Sequence, residues 1–509
     1  MPLYDSIARG REQYPDRLAI VYRDTRLTYG ALADQVDRCA AALRALGVGT
    51  GGRVAILLPN CPPFTITYYG ATALGAMCVP ANPLLKAPEL VHIWGDSECE
   101  VVVTASPLLA AAREAAASLP RLRHVVSIGP EPAGEGVLSF AELLGTTSPR
   151  PIDPSGIAEN DPAVCIYTSG TTGRPKGALL SHRNLLSNCD QCRRFLRFDG
   201  SDNFLCVLPL FHSFAGTVCQ NTALYCGARI TLMEQFHPAR ALDTIATERV
   251  TIVAGVPAMF AAMLQLPPDM ERDLSSVRVA VSGGAPMPVP VLEAFEKRFG
   301  VPIIEGDGPT ECSPVTSVNP LDGVRKPGSI GVPLPGVEMR IFDDQDNEVP
   351  VGAVGEIVVR GPNVMLGYLN QPEATAEAMR SGWYHTGDLG TMDEDGYFRI
   401  VDRKKDMLIV GGINVYPREV EEVLYAHPSV ADAAVIGAHD PLRGEQVVAV
   451  VVLKPDATAT ERELIGFCRQ RLANYKVPRK IVFRDQMPRS DTGKILKRLL
   501  RKEMDLGPA

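Results

Sequence analysis

The chain has no excess of positive charge, no leader-like opening and no unbroken apolar run of membrane length. Each lack closes off a class of function. Lysine and arginine number 51 against 59 acidic residues, a net charge of −8, so the basic face of a nucleic-acid binder is not expected. Met1-Pro2-Leu3-Tyr4-Asp5 lacks the basic start and apolar stretch of a secretory leader, and none is expected. Residues 54–85 carry no charge, yet Pro59, Pro62, Pro63, Pro80 and Pro83 break them up. The longest uninterrupted piece, 64–79, is shorter than the roughly 20 apolar residues a span needs. It reads as a buried helix ending near Val79, and no transmembrane segment is expected. Cys189-x-x-Cys192 has no second pair to join it. The two cysteines share a helical face with Leu185 and read as core, not as a metal or redox site. The twelve cysteines lie scattered in apolar runs, as reduced thiols of a cytoplasmic protein do. Internal repeats and low-complexity segments are missing too.

At 509 residues the chain exceeds the roughly 250–300 that one core supports. An apolar content of 46% with 22% charged residues is that of an ordinary globular protein. Leu18-Ala19-Ile20-Val21-Tyr22 and Leu27-Thr28-Tyr29 read as a strand pair around Arg23-Asp24. Leu32, Val36, Ala40 and Leu43 recur at helical spacing behind them. Val54-Ala55-Ile56-Leu57-Leu58 and Val101-Val102-Val103 read as buried strands, with a helix around 87–97 between them. After residue 177 the alternation resumes: Ala178-Leu179-Leu180 as strand, Ser181 as N-cap, 182–196 as helix. Ile230-Thr231-Leu232, Ile252-Val253-Ala254 and 277–281 follow as strands. Such a rhythm predicts an α/β fold, a large N-terminal body of mixed and parallel sheets flanked by helices.

Two changes of texture mark subdivisions. From Gly328 to Arg360 short strands alternate with Gly and Pro turns, which predicts a small β-subdomain at about 320–401. At 402–406, Asp402-Arg403-Lys404-Lys405-Asp406 is a dense charge run between the apolar strands 397–400 and 407–410. Beyond it, the segments 420–426, 430–437, 447–453, 461–472 and 480–483 make a small α+β domain. The expected division is therefore 1–401, a junction at 402–406, and 407–509.

Chemistry concentrates in a few clusters. Tyr167-Thr168-Ser169-Gly170-Thr171-Thr172-Gly173-Arg174-Pro175-Lys176-Gly177 holds four short hydroxyl residues, three glycines and one lysine. Backbone N–H groups, hydroxyls and an ammonium can there surround a polyphosphate, because glycine permits the left-handed turns of an anion nest. A Gly/Ser/Thr linker or hairpin is the alternative. A P-loop is excluded, since only two residues separate Gly173 from Lys176 and Gly177 follows. Leu208-Pro209-Leu210-Phe211-His212-Ser213-Phe214 sets one histidine among aromatic and aliphatic neighbours; taken singly it reads as a core residue. Ser282-Gly283-Gly284-Ala285-Pro286 follows a strand and permits close approach of a planar ligand. Glu305-Gly306-Asp307-Gly308-Pro309-Thr310-Glu311 sets a hydroxyl beside a carboxylate, which suits a magnesium shared with phosphate oxygens. Trp383-Tyr384-His385-Thr386-Gly387-Asp388 ends in a carboxylate able to accept both hydroxyls of a ribose. Met487-Pro488-Arg489-Ser490-Asp491-Thr492-Gly493-Lys494-Ile495 carries a lysine behind a Thr-Gly turn. No G-x-S-x-G elbow surrounds Ser282, against an α/β-hydrolase.

In this order, from about Thr28 to Lys497, the clusters resemble those of the adenylate-forming superfamily of acyl-CoA synthetases, luciferases and peptide-synthetase adenylation domains. The runs Thr310-Glu311-Cys312-Ser313-Pro314-Val315-Thr316-Ser317-Val318-Asn319-Pro320, Ile400-Val401-Asp402-Arg403-Lys404-Lys405-Asp406-Met407 and Tyr475-Lys476-Val477-Pro478 are most similar to long-chain fatty-acid–CoA ligases. The resemblance implies ATP-dependent formation of acyl-AMP and pyrophosphate, then acyl transfer to coenzyme A. It implies that Thr168, Ser169, Gly170, Thr171, Thr172, Gly173 and Lys176 hold the β- and γ-phosphates, Glu311 the Mg²⁺, and Thr310 the α-phosphate. Asp388 with Arg403 would take the ribose, and Gly284 and Ala285 the adenine, beside Glu305, Gly306 and Asp307. His212 would lie at the carboxylate end of the acyl pocket, and Lys494 would bridge carboxylate and α-phosphate. Lys405 would be the hinge of a mobile C-terminal lid, and Gly411, Gly412, Ile413 and Asn414 would line the pantetheine tunnel. Asp307 stands where relatives commonly carry an aromatic residue that packs on adenine. It offers an acceptor for the N6 amino group instead, or a lower adenine affinity. Pro309 also replaces a more usual aliphatic residue.

An aryl-CoA ligase remains open, since sequence does not size the acyl pocket. An adenylation domain serving a carrier protein is disfavoured because no carrier domain follows residue 509. The lysines and carboxylates at 176, 311, 388 and 494 speak against a non-catalytic nucleotide- or lipid-binding relative. A homodimer and peripheral membrane contact are both compatible with the resemblance.

Overall fold

The computed structural model describes residues 1–129, 136–168, 175–270, 272–440, 443–489 and 495–504. Two large sheets organise the N-terminal body. One has nine strands in the order Val332–Pro333, Ser317–Val318, Ile303–Asp307, Val279–Ser282, Ile252–Gly255, Asn203–Cys206, Arg229–Leu232, Leu18–Tyr22, Thr25–Thr28. The other has eight, in the order Gly367–Tyr368, Lys176–Ser181, Pro162–Thr168, Met77–Pro80, Arg53–Leu57, Val101–Ala105, His124–Ile128, Val137–Ser139. The nine-stranded sheet has a parallel centre with antiparallel strands at both edges, whereas the eight-stranded sheet is antiparallel only at the Gly367–Tyr368 side and parallel out to Val137–Ser139. Val101–Ala105 is buried along its whole length, as a parallel strand covered on both faces must be.

The helix His182–Leu196 starts on a reciprocal cap. The Ser181 hydroxyl accepts the Asn184 N–H at 3.1 Å, and Asn184 Oδ1 accepts the Ser181 N–H at 2.8 Å. Such a box satisfies two of the amide donors a helix start leaves free. Leu185, Cys189, Cys192 and Leu196 form its buried face. All twelve cysteines are unpaired thiols, and burial pushes the Cys189 thiol up to about 12.

Residues 64–79 differ from the single helix expected. The helix is Pro62–Thr72, and Met77–Pro80 is a buried strand between Arg53–Leu57 and Pro162–Thr168. Gly75, at φ +70°, reverses the chain between them. An apolar run buried on every side carries no periodicity, so it reads alike as helix or strand. Among the described residues no helix is long and apolar enough to cross a membrane.

A separate antiparallel sheet, Glu338–Phe342, Gly355–Arg360, Tyr384–Met392 and Phe398–Arg403, forms the β-subdomain. Val332–Pro333 extends the nine-stranded sheet instead, and Gly367–Tyr368 the eight-stranded one. Asp402 and Arg403 continue the last strand, and the turn proper is 404–406. Beyond it Leu408–Val410, Ile413–Val415, Val430–Asp440, Gly444–Leu453 and Lys480–Phe483 form a five-stranded sheet with its own apolar clusters.

The two parts meet through polar groups. Asp402 Oδ2 accepts the Arg418 N–H at 2.8 Å, at the start of the helix Pro417–Tyr425, where a carboxylate complements the helix dipole. The Arg418 guanidinium donates back to the Ile400 carbonyl at 2.7 Å. Arg501 pairs with Asp406 at 3.3 Å.

Candidate active site

A cleft of about 3410 Å³ runs between the large body, the β-subdomain and the C-terminal domain. Its walls are the ends of strands and the turns that follow them, where an open α/β sheet collects ligands. Thr168, Lys176, His212, Gly284, Ala285, Glu305, Gly306, Asp307, Thr310, Glu311, Asp388, Arg403 and Lys405 all line it. Lys494 and residues Ser169, Gly170, Thr171, Thr172 and Gly173 lie outside the described residues. Ile495, Lys497 and Arg498 line the cleft from the C-terminal domain. Gly411, Gly412, Ile413 and Asn414 do not line it; Gly411 and Gly412 form the tip of the hairpin between Leu408–Val410 and Ile413–Val415, and Ile413 and Asn414 begin its second strand.

Strand pairing brings Thr168 and Lys176 together at the cleft. Thr168 ends the strand entering the glycine-rich loop, and Lys176 opens the antiparallel strand leaving it, directly opposite. Glu311 sits in the short 3₁₀ helix Thr310–Cys312 and is buried. Its Oε1 accepts the Tyr368 hydroxyl at 2.9 Å and the Thr168 hydroxyl at 3.4 Å. Lys176 Nζ stands 5.3 Å from the centre of the Tyr368 ring. Burial, then the Glu311 charge, raises the Tyr368 phenol, so it remains a donor at neutral pH. Tyr368 falls in no motif of the sequence, because its strand is two residues long and shows no alternation.

No group of three or more His, Cys, Asp or Glu among the described residues could hold a metal ion by itself. One buried carboxylate beside hydroxyls and a lysine nonetheless fits Mg²⁺, which keeps most of its octahedron for water and substrate phosphate oxygens.

Asp388 and Arg403 are cross-strand partners in the β-subdomain, paired at 2.6 Å between Oδ1 and Nε. The Asp388 carboxylate raises the guanidinium further, and Asp307 adds to it. Thr386 steadies the turn: its hydroxyl donates to the Ile357 carbonyl at 2.7 Å and accepts the Asp388 N–H at 3.0 Å.

Gly306 and Gly284 meet different requirements. A Cβ on Gly306 would stand 2.8 Å from the Ser317 carbonyl oxygen, while Gly284 turns the chain at φ +78°. Glu305, opposite Ser282 on the neighbouring strand, is buried. Its Oε1 accepts the Met287 N–H at 3.0 Å, and its Oε2 has no hydrogen-bond partner. Burial pushes this carboxyl up to about 7.

His212 Nδ1 accepts the Phe214 N–H at 3.3 Å. The ring proton of the neutral form therefore belongs on Nε2, which can donate to a carboxylate. Ser213 Oγ lies 3.1 Å from Thr310 Oγ1. The cleft lining also includes the apolar side chains of Phe214, Val218, Val256, Ala261, Val281 and Cys192. Phe214 and Val218 belong to a π-helical segment, Phe214–Asn221, a form frequent at functional sites.

Lys405 lines the cleft in the 404–406 turn, and burial and then Arg403 lower its ammonium. Lys404 is tied back to the β-subdomain, Nζ pairing with Asp344 at 2.8 Å and Glu356 at 3.3 Å.

Comparison with known proteins gives the arrangement its family. Residues 7–369 match the family model described as AMP-binding enzyme, and 419–494 that described as AMP-binding enzyme C-terminal domain. A long-chain-fatty-acid–CoA ligase of Bacillus subtilis (strain 168) is 39% identical, covering 98% of this chain and 93% of that protein. A feruloyl-CoA synthase of Amycolatopsis sp is 42% identical over 96% of each chain. The ATP-bound MatB structure from Rhodopseudomonas palustris superposes with a TM-score of 0.91 at 34% identity, covering 99% of both chains. The anthranilate CoA ligase AuaEII in complex with anthranoyl-AMP gives 0.94 at 31% identity, over 99% of this chain and 98% of that one. The chain therefore belongs to the AMP-binding enzymes of the adenylate-forming superfamily, as an acid–thiol ligase that uses ATP and coenzyme A.

Proposed function

We propose that this enzyme activates a medium- or long-chain fatty acid. A carboxylate oxygen attacks the α-phosphorus of ATP, the bond to pyrophosphate breaks, and acyl-AMP forms. The thiolate of coenzyme A then attacks the acyl carbon, and AMP leaves with its bonding electron pair. The first step drives an anion onto a polyanion, so catalysis is charge neutralisation and positioning. In this reading Lys176, with Thr168 and the loop that follows, holds the β- and γ-phosphates. Glu311 holds Mg²⁺, which supplies charge neutralisation on the phosphate oxygens. Thr310 contacts the α-phosphate, Asp388 accepts from the ribose, and His212 Nε2 donates to the incoming carboxylate. Lys494 bridges carboxylate and α-phosphate, and rotation about Lys405 brings Gly411, Gly412, Ile413 and Asn414 to the thiol in the second step. The domain division at 402–406 belongs to the same proposal, as does a cytoplasmic location, consistent with twelve unpaired thiols.

The observation that carries the reading is one cleft lined both by Lys176, Glu311, Asp388 and Arg403 and by apolar side chains that include Phe214, Val218, Val256 and Val281. The fatty-acid–CoA ligase similarity supports an aliphatic substrate. The feruloyl-CoA synthase similarity, at higher identity, supports a second reading with an aromatic acid in the same pocket. ATP–pyrophosphate exchange across a panel of aliphatic and aromatic acids, with and without coenzyme A, separates them. Exchange driven by dodecanoate or longer acids and not by hydroxycinnamates supports the first reading; the reverse overturns it.

A further inference from the structure

We infer that Tyr368 is a positioning residue for the adenylation half-reaction, orienting the Glu311 carboxylate toward the metal and Lys176 toward the pyrophosphate to be released. The inference rests on the roles proposed above for those two residues. One side chain reaches both: its hydroxyl donates to Glu311 Oε1 at 2.9 Å, and its ring lies 5.3 Å from Lys176 Nζ. That distance is within cation–π range. The Thr168 hydroxyl converges on the same Oε1. No hydrogen bond from a described residue to Oε2 accompanies these two, so Oε2 is the oxygen available to a cation.

The backbone around Tyr368 is as firmly held as its side chain. Residues 365–369 strap the Glu311 turn to the strand that begins at Lys176. The Met365 N–H donates to the Glu311 carbonyl at 2.7 Å, Leu366 to the Leu179 carbonyl at 2.9 Å, and Leu369 to the Gly177 carbonyl at 2.8 Å. On the far side the Tyr368 N–H donates to Thr375 Oγ1 at 2.8 Å. Gly367, at φ +145°, leaves no room for a Cβ, which would stand 2.7 Å from Thr375 Cγ2. Two groups that must act on one polyphosphate, far apart in sequence, thus share a rigid support.

The hydroxyl and the ring separate by substitution. Calorimetric titration of ATP into the full-length protein, without acid or coenzyme A, gives a Kd in EDTA and another in Mg²⁺. Tyr368→Phe keeps the ring and removes the donor. We expect it to leave the EDTA value unchanged and to reduce the Mg²⁺-dependent tightening by roughly tenfold or more, the usual cost of losing a metal ligand's hydrogen-bond partner. Tyr368→Leu loses the ring as well, and its EDTA value should weaken by about fivefold, in the range of one cation–π contact. Glu311→Gln tests the underlying assignment separately: if it leaves the Mg²⁺ effect intact, the metal role of Glu311 fails. If Glu311→Gln abolishes the effect while Tyr368→Phe retains it in full, the inference about Tyr368 is overturned. The phenylalanine variant decides the metal arm alone, should the leucine variant fold poorly.

Discussion

Replacing Glu305 by glutamine should make the protein more stable above neutral pH and change little in mild acid. The carboxyl is buried in the cleft wall, one oxygen accepting the Met287 N–H and the other without a partner. Desolvation, opposed by the Met287 N–H and then Arg418 and reinforced by the charges of Asp307 and Glu422, carries it from an ordinary 4.5 to about 7. Below pH 4.5 folded and unfolded chains both hold the proton, and nothing is lost. Between 4.5 and 7 the unfolded chain has released it while the folded chain retains it, so rising pH favours unfolding. At about 1.36 kcal/mol per pH unit, the window is worth about 3 kcal/mol by pH 8. Glutamine keeps the acceptor for Met287 and cannot ionise. Urea denaturation of both proteins at pH 5 and pH 8 measures the effect. The variant should gain about 3 kcal/mol over the native protein at pH 8 and under about 1 kcal/mol at pH 5. An equal difference at the two pH values would refute the argument that Glu305 stays protonated because it is buried.

Lys494→Ala should slow adenylation, read as ATP–pyrophosphate exchange, by on the order of 10²–10³-fold while supplied acyl-AMP still reacts with coenzyme A. Equal loss of both half-reactions would sink the assignment. Lys405→Pro should mainly slow the half-reaction that needs the rotated domain, and unchanged kinetics in both halves would count against a hinge there. Asp307→Tyr places an aromatic face at the nucleotide end of the cleft and should change the KM for ATP; an unaltered value would mean the position does not touch adenine.

Much of the site was legible because it is written in short, local runs. The glycine–hydroxyl–lysine loop, the Thr310-Glu311 pair and Asp388 announce themselves by the spacing of polar groups between apolar strands. Thr168, Lys176, Thr310, Glu311 and Asp388 line one cleft, the first four at or just beyond strand ends of the two large sheets and Asp388 from the antiparallel β-subdomain. Ser181 likewise declared a helix start by local chemistry alone. Gly411 and Gly412, which the resemblance implies for the pantetheine tunnel, turn a hairpin off the cleft. Its position off the cleft depends on how one domain sits against the other, which no local run encodes.

Other features follow from contacts between residues far apart in the chain. The apolar segment 64–79 divides into helix and strand because Met77–Pro80 finds two neighbouring strands to bond with, and hydropathy does not carry strand order. Arg403 meets Asp388 through the register of two antiparallel strands. The charge run at 402–406 divides in function because Asp402 caps a helix of the next domain while Lys404 ties back to Glu356. Tyr368 serves Glu311 and Lys176 only because a two-residue strand is added to the edge of a sheet. The sequence by itself determined which chemical groups are present and the local turns that present them. The tertiary structure decided which of those groups are desolvated, paired and aimed at one another, since burial and charge pairing are properties of the assembled surroundings and not of a residue's neighbours in the chain.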